Sequence, residues 1–166
     1  MRNGGTVLDD GRHARCVDAW LDRTAKGVAP EILLHLFEAA LNAIWIRTKT
    51  TLGEVTLTAI TERVLHNASE RFSLLWTLKL EPTSGIQCRE LRERVGSVDP
   101  SELREAVRFV LVELLTVLGN LTAEILTPAL HAEISGVALL DAIRVGARPV
   151  RRSDEPVNAE SEEKKS

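Results

Sequence analysis

The chain has 166 residues, enough for one domain with tails, and 44% of them are hydrophobic while 27% are charged. Aromatic residues make up only 4% and tyrosine is absent, so aliphatic side chains must form the core, which favours packed helices over a β-sandwich. The net charge of −3 argues against a broad nucleic-acid-binding surface.

The N-terminal segment, residues 1–14, is polar and contains glycine, and we expect it to be flexible. Val17, Trp20 and Leu21 then follow at helical spacing. This spacing predicts a short first helix over residues 16–25, ended by Gly27.

The second predicted helix covers residues 30–48 and is unusually apolar. Pro30 opens it at a first-turn position, where the missing N–H is not needed. At 100° per residue, its polar residues fall within a stripe about 60° wide. These residues are Glu31, His35, Glu38, Asn42 and Lys49. A helix with so little polar surface is expected to be surrounded by other helices.

The third predicted helix starts at a capping box, Thr51 to Glu54, and continues to about residue 75 with one apolar stripe. Alternating residues on either side of a Pro-Thr-Ser-Gly cluster then predict a small β-hairpin around residues 76–88. The charged run at residues 89–94 is expected to be a short helix.

A strong helix start follows at Asp99, with Pro100 at the first helical position. This second apolar helix is predicted over residues 100–127, and it keeps one polar face. Pro128 predicts a kink or break, because its ring would clash with the carbonyl of Glu124. A last helical stretch is expected at about residues 129–143.

The predicted fold is therefore mainly α, a bundle of four to five helices with a small hairpin. We assign residues 15–145 to one helical domain. Residues 146–166 lose all apolar periodicity and carry many charges, and we expect them to form a disordered tail.

His66 is the one candidate for histidine chemistry. It is predicted on the solvated face of its helix between Glu62 and Glu70, an arrangement typical of phosphoacceptor histidines in helical phosphotransfer bundles. An ordinary surface histidine is the favoured alternative. Ser69 and Ser73 lie nearby without an acid placed to orient the base, so no nucleophilic set is expected.

No metal site or cofactor is predicted. His35 with Glu38, and His131 with Glu124, do not match the Glu-x-x-His spacing of di-metal bundles. Trp20, Trp45 and Trp76 could line a ligand pocket, but isolated tryptophans in a bundle are more often core or interface anchors. The tail arginines Arg148, Arg151 and Arg152 are the one feature that could contact nucleic acid.

The sequence favours a cytoplasmic protein. Residues 1–19 lack the apolar region of a signal peptide, and the longest apolar stretches are shorter than the ~20 residues of a membrane span. Cys16 and Cys88 form no CxxC pair, which is typical of free thiols in a reducing compartment.

Two unusually apolar helices would strain the covering surface that one small domain can supply. We therefore expect a homodimer that shares them, with a non-enzymatic regulatory or protein-interaction function of bacterial signalling type. The residues expected at this interface are Phe37, Leu41, Trp45, Leu114, Leu118 and Gly119. The alternative is a sensor or enzyme with a ligand pocket inside the bundle.

Overall fold

The structure, a computed structural model, describes residues 5–138, with side chains from residue 11 onwards. The helices in this part of the chain are α1 (Gly5–Thr24), α2 (Pro30–Leu52), α3 (Glu54–Arg71), α4 (Arg89–Arg94), α5 (Pro100–Leu121) and α6 (Thr127–Ser135). Strands β1 (Lys79–Glu81) and β2 (Gly85–Gln87) pair in antiparallel register, and short 3₁₀ helices span Ser73–Thr77 and Val95–Ser97. The predicted mainly helical fold with a small hairpin is confirmed.

The predicted starts of the two apolar helices are confirmed. Pro30 occupies the first turn of α2, and Pro100 occupies the first turn of α5. The Asp99 side chain accepts a hydrogen bond from the backbone N–H of Ser101 at 3.1 Å, which satisfies one of the free amides at the start of α5.

Ion pairs fix α1 and α5 as antiparallel neighbours. Arg104 and Asp22 are 2.8 Å apart, and Arg108 and Asp18 are 2.6 Å apart, so later residues of α5 pair with earlier residues of α1. These four side chains are partly or largely exposed, so each pair contributes about 0–1 kcal/mol. The two ion pairs therefore show the relative direction of α1 and α5 and add little stability.

The remaining long helices alternate in direction. The Phe72 ring, which follows α3 directly, lies 5.8 Å from the ring of Phe109 in the middle of α5. The start of α2 lies beside the segment that precedes α5, since a Cβ at Gly96 would lie 3.9 Å from Oε1 of Glu31. Gly53 alone joins the end of α2 to the start of α3. The ends of α2 and α5 and the start of α3 therefore lie towards the same end of the bundle, which we name the Gly53 end.

Both apolar helices are covered within one chain. Helix α2 packs against α3, α5, α6 and β2, while α5 packs against α1, α2, α3 and α6. The buried residues of α2 are Leu33, Leu34, Leu36, Phe37, Ala40, Leu41, Ile44, Trp45 and Thr48. Those of α5 are Leu103, Ala106, Val107, Val110, Leu111, Leu114, Leu115, Leu118 and Gly119. The short helices and the hairpin cover part of the apolar surface of α2 and α5, and this contribution was underestimated from the sequence.

The first helix begins earlier than predicted. It starts at Gly5 rather than at residue 16, so part of the segment expected to be flexible is helical. His13 is 1% exposed and lies one turn before the buried Val17 and two turns before the buried Trp20. The buried face of α1 thus begins at His13, and a search for regularly spaced apolar residues does not include a histidine.

The predicted capping box at Thr51 is wrong. Helix α2 continues through Thr51 to Leu52, and Gly53, at φ +84°, separates it from α3. Glu54 instead forms an ion pair with Lys49 at 3.2 Å. Helix α3 also ends at Arg71, before the predicted end near residue 75, and a 3₁₀ helix follows it.

The break after α5 lies before Pro128. Helix α5 ends at Leu121, and Ala123 and Glu124 adopt positive φ angles of 51° and 64°. Pro128 lies in the first turn of α6, where a proline is tolerated. Helix α6 ends at Ser135, so the helix predicted to residue 143 is shorter, and both residues 139–143 and the predicted tail 146–166 lie outside the described residues.

Candidate functional site

A cleft opens between α2 and the hairpin, with a volume of about 660 Å³. Glu38, Asn42 and Trp45 line one wall, because residues spaced three or four apart lie on one face of α2. The opposite wall is formed by residues 84–88 and by Arg92 of α4. We name this space the Trp45 cleft.

Glu38 and Arg92 form the charged pair of the Trp45 cleft. An Nη2–H of Arg92 donates a hydrogen bond to Oε1 of Glu38, joining two elements far apart in sequence. The Glu38 side chain is only 12% exposed, whereas Arg92 is 47% exposed. The carboxylate is thus largely enclosed, and part of the guanidinium remains accessible.

Cys88 lies beside this pair and is buried. Burial raises the pKa of its thiol, and the nearby Glu38 carboxylate raises the pKa further. The thiol therefore stays protonated at neutral pH, and the protonated form is a poor nucleophile. A protonated Cys88 thiol suits a binding site better than covalent catalysis.

Trp45 is the largest side chain of the cleft wall, and it is 6% exposed. Gly85 packs on its ring so closely that a Cβ at this position would lie 3.2 Å from Cδ2 of the indole. The φ angle of Gly85 is +83°, which favours glycine. Among the described residues, the indole N–H of Trp45 has no hydrogen-bond partner.

A second polar cluster joins the start of the chain to α6. Nδ1 of His13 and Nε2 of His131 are 2.9 Å apart, so one ring donates a hydrogen bond to the other. Nε2 of His13 lies 3.7 Å from Oε2 of Glu124, which also accepts a hydrogen bond from the Thr127 hydroxyl. Gly119 makes room for this carboxylate, since a Cβ there would lie 2.8 Å from Oε1 of Glu124.

The histidine pair predicts a pH-dependent stability. Burial lowers the pKa of His131, the charges of His13 and Arg12 lower it further, and Glu124 opposes them. The folded chain thus takes up this proton less readily than the unfolded chain, whose value is near 6.5. We expect the free energy of unfolding to fall as pH drops below 6.5 and to level off below the folded pKa.

Urea unfolding at a series of pH values measures this effect. His131→Gln should flatten the dependence in this range, whereas Asn67→Gln, at an exposed site outside the cluster, should leave it unchanged. An unaltered slope in His131→Gln would contradict the assignment.

The residues expected at a dimer interface lie in the core of the single chain. The exposed fractions are 0% for Phe37, 4% for Leu41, 6% for Trp45, 3% for Leu114 and 0% for Leu118, and Gly119 is also buried. Their contacts in this fold are made within the chain. The carboxylate of Glu124 approaches Gly119 closely.

His66 is 72% exposed, and its Nε2 lies 3.5 Å from Oε1 of Glu70 one turn later. Glu62 lines the same surface. The imidazole is thus accessible and has a carboxylate neighbour. Its role as a phosphoacceptor stays a prediction.

The three tryptophans have different environments. The indole N–H of Trp20 donates to the carbonyl of Val137, and that of Trp76 donates to the carbonyl of Ser69, each at 3.0 Å. Trp20 is fully buried, while Trp76 is 72% exposed. Of the three, Trp45 alone combines a cleft with an unpaired N–H in the described part of the chain.

From the sequence, Glu38 and Glu124 were expected on the polar stripes of their helices and were rejected as metal ligands. Within residues 5–138, no group of three or more His, Cys, Asp or Glu side chains is arranged to hold a metal ion. Glu38 instead pairs with Arg92, and Glu124 lies beside His13. These partners are 54 and more than 100 residues away, and no local spacing could have revealed them.

Arg148, Arg151 and Arg152 lie outside the described residues. The charged run of α4 is mostly solvated, with Arg89 and Glu93 3.9 Å apart, although Arg92 turns to the cleft.

None of the described helices is long and apolar enough to cross a membrane. Compared with protein-family models, curated proteins and solved structures, the chain gives no match.

Proposed function

We propose that this chain is a non-enzymatic regulatory module that pairs with a second copy of itself through the Gly53 end of the bundle. The carrying observation is an apolar surface that the single chain leaves exposed there. Val55 is 85% exposed, Leu121 is 54% exposed and Ile125 is 78% exposed. We name these three residues the end patch.

The helix directions place the three residues of the end patch towards the same end of the bundle. Val55 lies in the first turn of α3, Leu121 is the last residue of α5, and Ile125 follows in the turn before α6. Exposed Trp76 lies elsewhere, next to the last turns of α3. Clustered apolar side chains favour association, whereas single exposed ones are ordinary.

Helix dipoles favour a second copy as the partner. The start of α3 carries partial positive charge and no side-chain cap, while the end of α5 carries partial negative charge. In a two-fold dimer through the end patch, the start of α3 can lie opposite the end of α5 of the partner. The same surface is then complementary to itself, as a symmetric dimer requires.

The size of the end patch limits the strength of the dimer. Burying one Val, Leu or Ile side chain removes roughly 100 Å² of apolar surface. Stable interfaces bury about 800 Å² on each partner, so three such side chains supply less than half of this area. We therefore propose a dimer in exchange with folded monomers, with a Kd of about 10 µM or weaker.

The regulatory role and a cytoplasmic location belong to the same proposal. Cys16 and Cys88 are both free thiols in the structure, as is common in a reducing compartment. A weak, reversible dimer is an assembly that changes in concentration or in a bound ligand can shift.

Sedimentation velocity over protein concentrations from about 5 to 200 µM tests the dimer. We expect the weight-average mass to rise reversibly towards twice the monomer mass. Val55→Glu/Ile125→Glu should stay monomeric, because the two buried charges would face their copies across the axis.

The matched control is Asn67→Glu/Thr83→Glu, which adds the same charge at exposed positions away from the end patch. It should associate like the wild-type chain. A wild-type chain that stays monomeric at the highest concentration contradicts the proposal, and so does a Val55→Glu/Ile125→Glu variant that dimerises normally.

A further inference from the structure

We infer that the Trp45 cleft binds a small organic molecule bearing one carboxylate, held by Arg92 and by the indole N–H of Trp45. This site is independent of the end patch. The volume of about 660 Å³ lies within the range of known small-molecule sites, which is about 300–1,000 Å³. Its lining combines a charged pair, two amides and apolar side chains.

Two side chains at the cleft have unused hydrogen-bond donors. Among the described residues, Arg92 makes a side-chain hydrogen bond to Glu38 alone, and most of its N–H groups stay free. The Trp45 N–H is buried without a partner. A carboxylate presents acceptors only, so it is chemically suited to both kinds of donor.

The charge balance disfavours a ligand with more than one negative charge. Glu38 neutralises Arg92 within the cleft, and no second Arg or Lys belongs to the lining. A doubly charged phosphate would meet the Glu38 carboxylate without enough compensation. Leu41, Ile86 and Ala39 give the rest of the ligand an apolar surface.

Access to the Trp45 N–H needs a small displacement of the hairpin. The N–H is shielded in the structure, and Gly85 packs on the indole ring. The β1–β2 sheet has only three residue pairs, and a two-stranded sheet of this kind is marginally stable alone. We expect the ligand to shift residues 84–87 and then to accept the indole hydrogen bond.

The test uses ¹⁵N-labelled full-length protein and observes its three indole N–H signals. Benzoate and hexanoate are titrated to about 10 mM, with benzamide as the uncharged probe. Trp45→Phe identifies the Trp45 signal by its loss. We expect both carboxylates to shift this signal downfield, because the N–H gains an acceptor, while the bonded Trp20 and Trp76 signals stay in place.

Two substitutions should change the affinity in opposite directions. Arg92→Gln removes the cation and should raise the Kd for benzoate about tenfold or more, as expected for a charge-assisted hydrogen bond. Glu38→Gln frees Arg92 from its competitor and should lower the Kd. Arg94→Gln, on the same short helix but outside the cleft, should change the Kd less than about twofold.

Several outcomes would overturn the inference. They are no shift of the Trp45 signal at the highest probe concentration, equal binding of benzamide and benzoate, or a shift confined to the Trp76 signal. Equal weakening by Arg92→Gln and Arg94→Gln would also overturn it. A loss of affinity in Glu38→Gln would show that the pair acts only to hold the fold, because a purely structural pair weakens with either substitution.

Discussion

Replacing Phe37 with alanine is expected to lower the free energy of unfolding by about 3–5 kcal/mol. Phe37 is fully buried in the middle of α2, so the substitution leaves a cavity as large as a phenyl ring. Urea unfolding followed by circular dichroism measures the change. Such a loss is a large part of the total stability of a typical domain.

Ile46 on the same helix provides the matched control. It is 60% exposed, and Ile46→Ala should change the free energy of unfolding by no more than about 0.5 kcal/mol. Similar losses in the two variants would mean that α2 buries a different face from the one described.

Gly85→Val should destabilise the chain by about 2–4 kcal/mol, the second large effect. A residue other than glycine pays about 1–2 kcal/mol in left-handed conformation, and Gly85 has a φ of +83°. The new side chain also has to enter the space of the Trp45 ring, and overpacking of this kind costs about 1–3 kcal/mol. Urea unfolding measures the loss, and the Trp45 cleft should change shape with it.

Gly96→Ala separates this effect from a general intolerance of side chains at glycine positions. Its φ angle is not in the left-handed region, and the nearest atom to an added Cβ is a Glu31 oxygen at 3.9 Å. We expect a change within about 0.5 kcal/mol of zero. A Gly85→Val variant as stable as Gly96→Ala would show that the hairpin does not pack on Trp45 as described.

The fold class could be predicted from the sequence, because the residues that indicate it act on their neighbours in the chain. Pro30 and Asp99 mark helix starts by their own chemistry, and the turn cluster at residues 82–85 marks the hairpin. These features depend on neighbours in the chain, and the structure confirms them. The ends of the helices were harder to predict, because packing and backbone conformation determine them.

The break after α5 illustrates this limit. Ala123 and Glu124 take left-handed conformations, although neither residue type favours them. The Glu124 carboxylate is held there by Thr127 and lies close to His13, a residue of the distant α1. A contact over more than 100 residues in sequence therefore accompanies a backbone conformation that no local pattern predicts.

Only part of the candidate site could be predicted from the sequence. Trp45 was singled out from the sequence as an interface anchor, but its neighbours come from the hairpin and α4. The Glu38–Arg92 pair joins residues 54 positions apart, so the cleft exists only after the bundle has formed. The hairpin was predicted from the sequence, but its position beside the polar stripe of α2, where it helps to enclose Glu38, was not foreseen.

One chain covers both apolar helices, so folding should not require a partner. The most direct test is urea unfolding of Val55→Glu/Ile125→Glu at protein concentrations of about 1 and 100 µM. We expect a cooperative transition whose midpoint is the same at both concentrations. A midpoint that rises with protein concentration would contradict it, because it would show that α2 and α5 are buried between two chains.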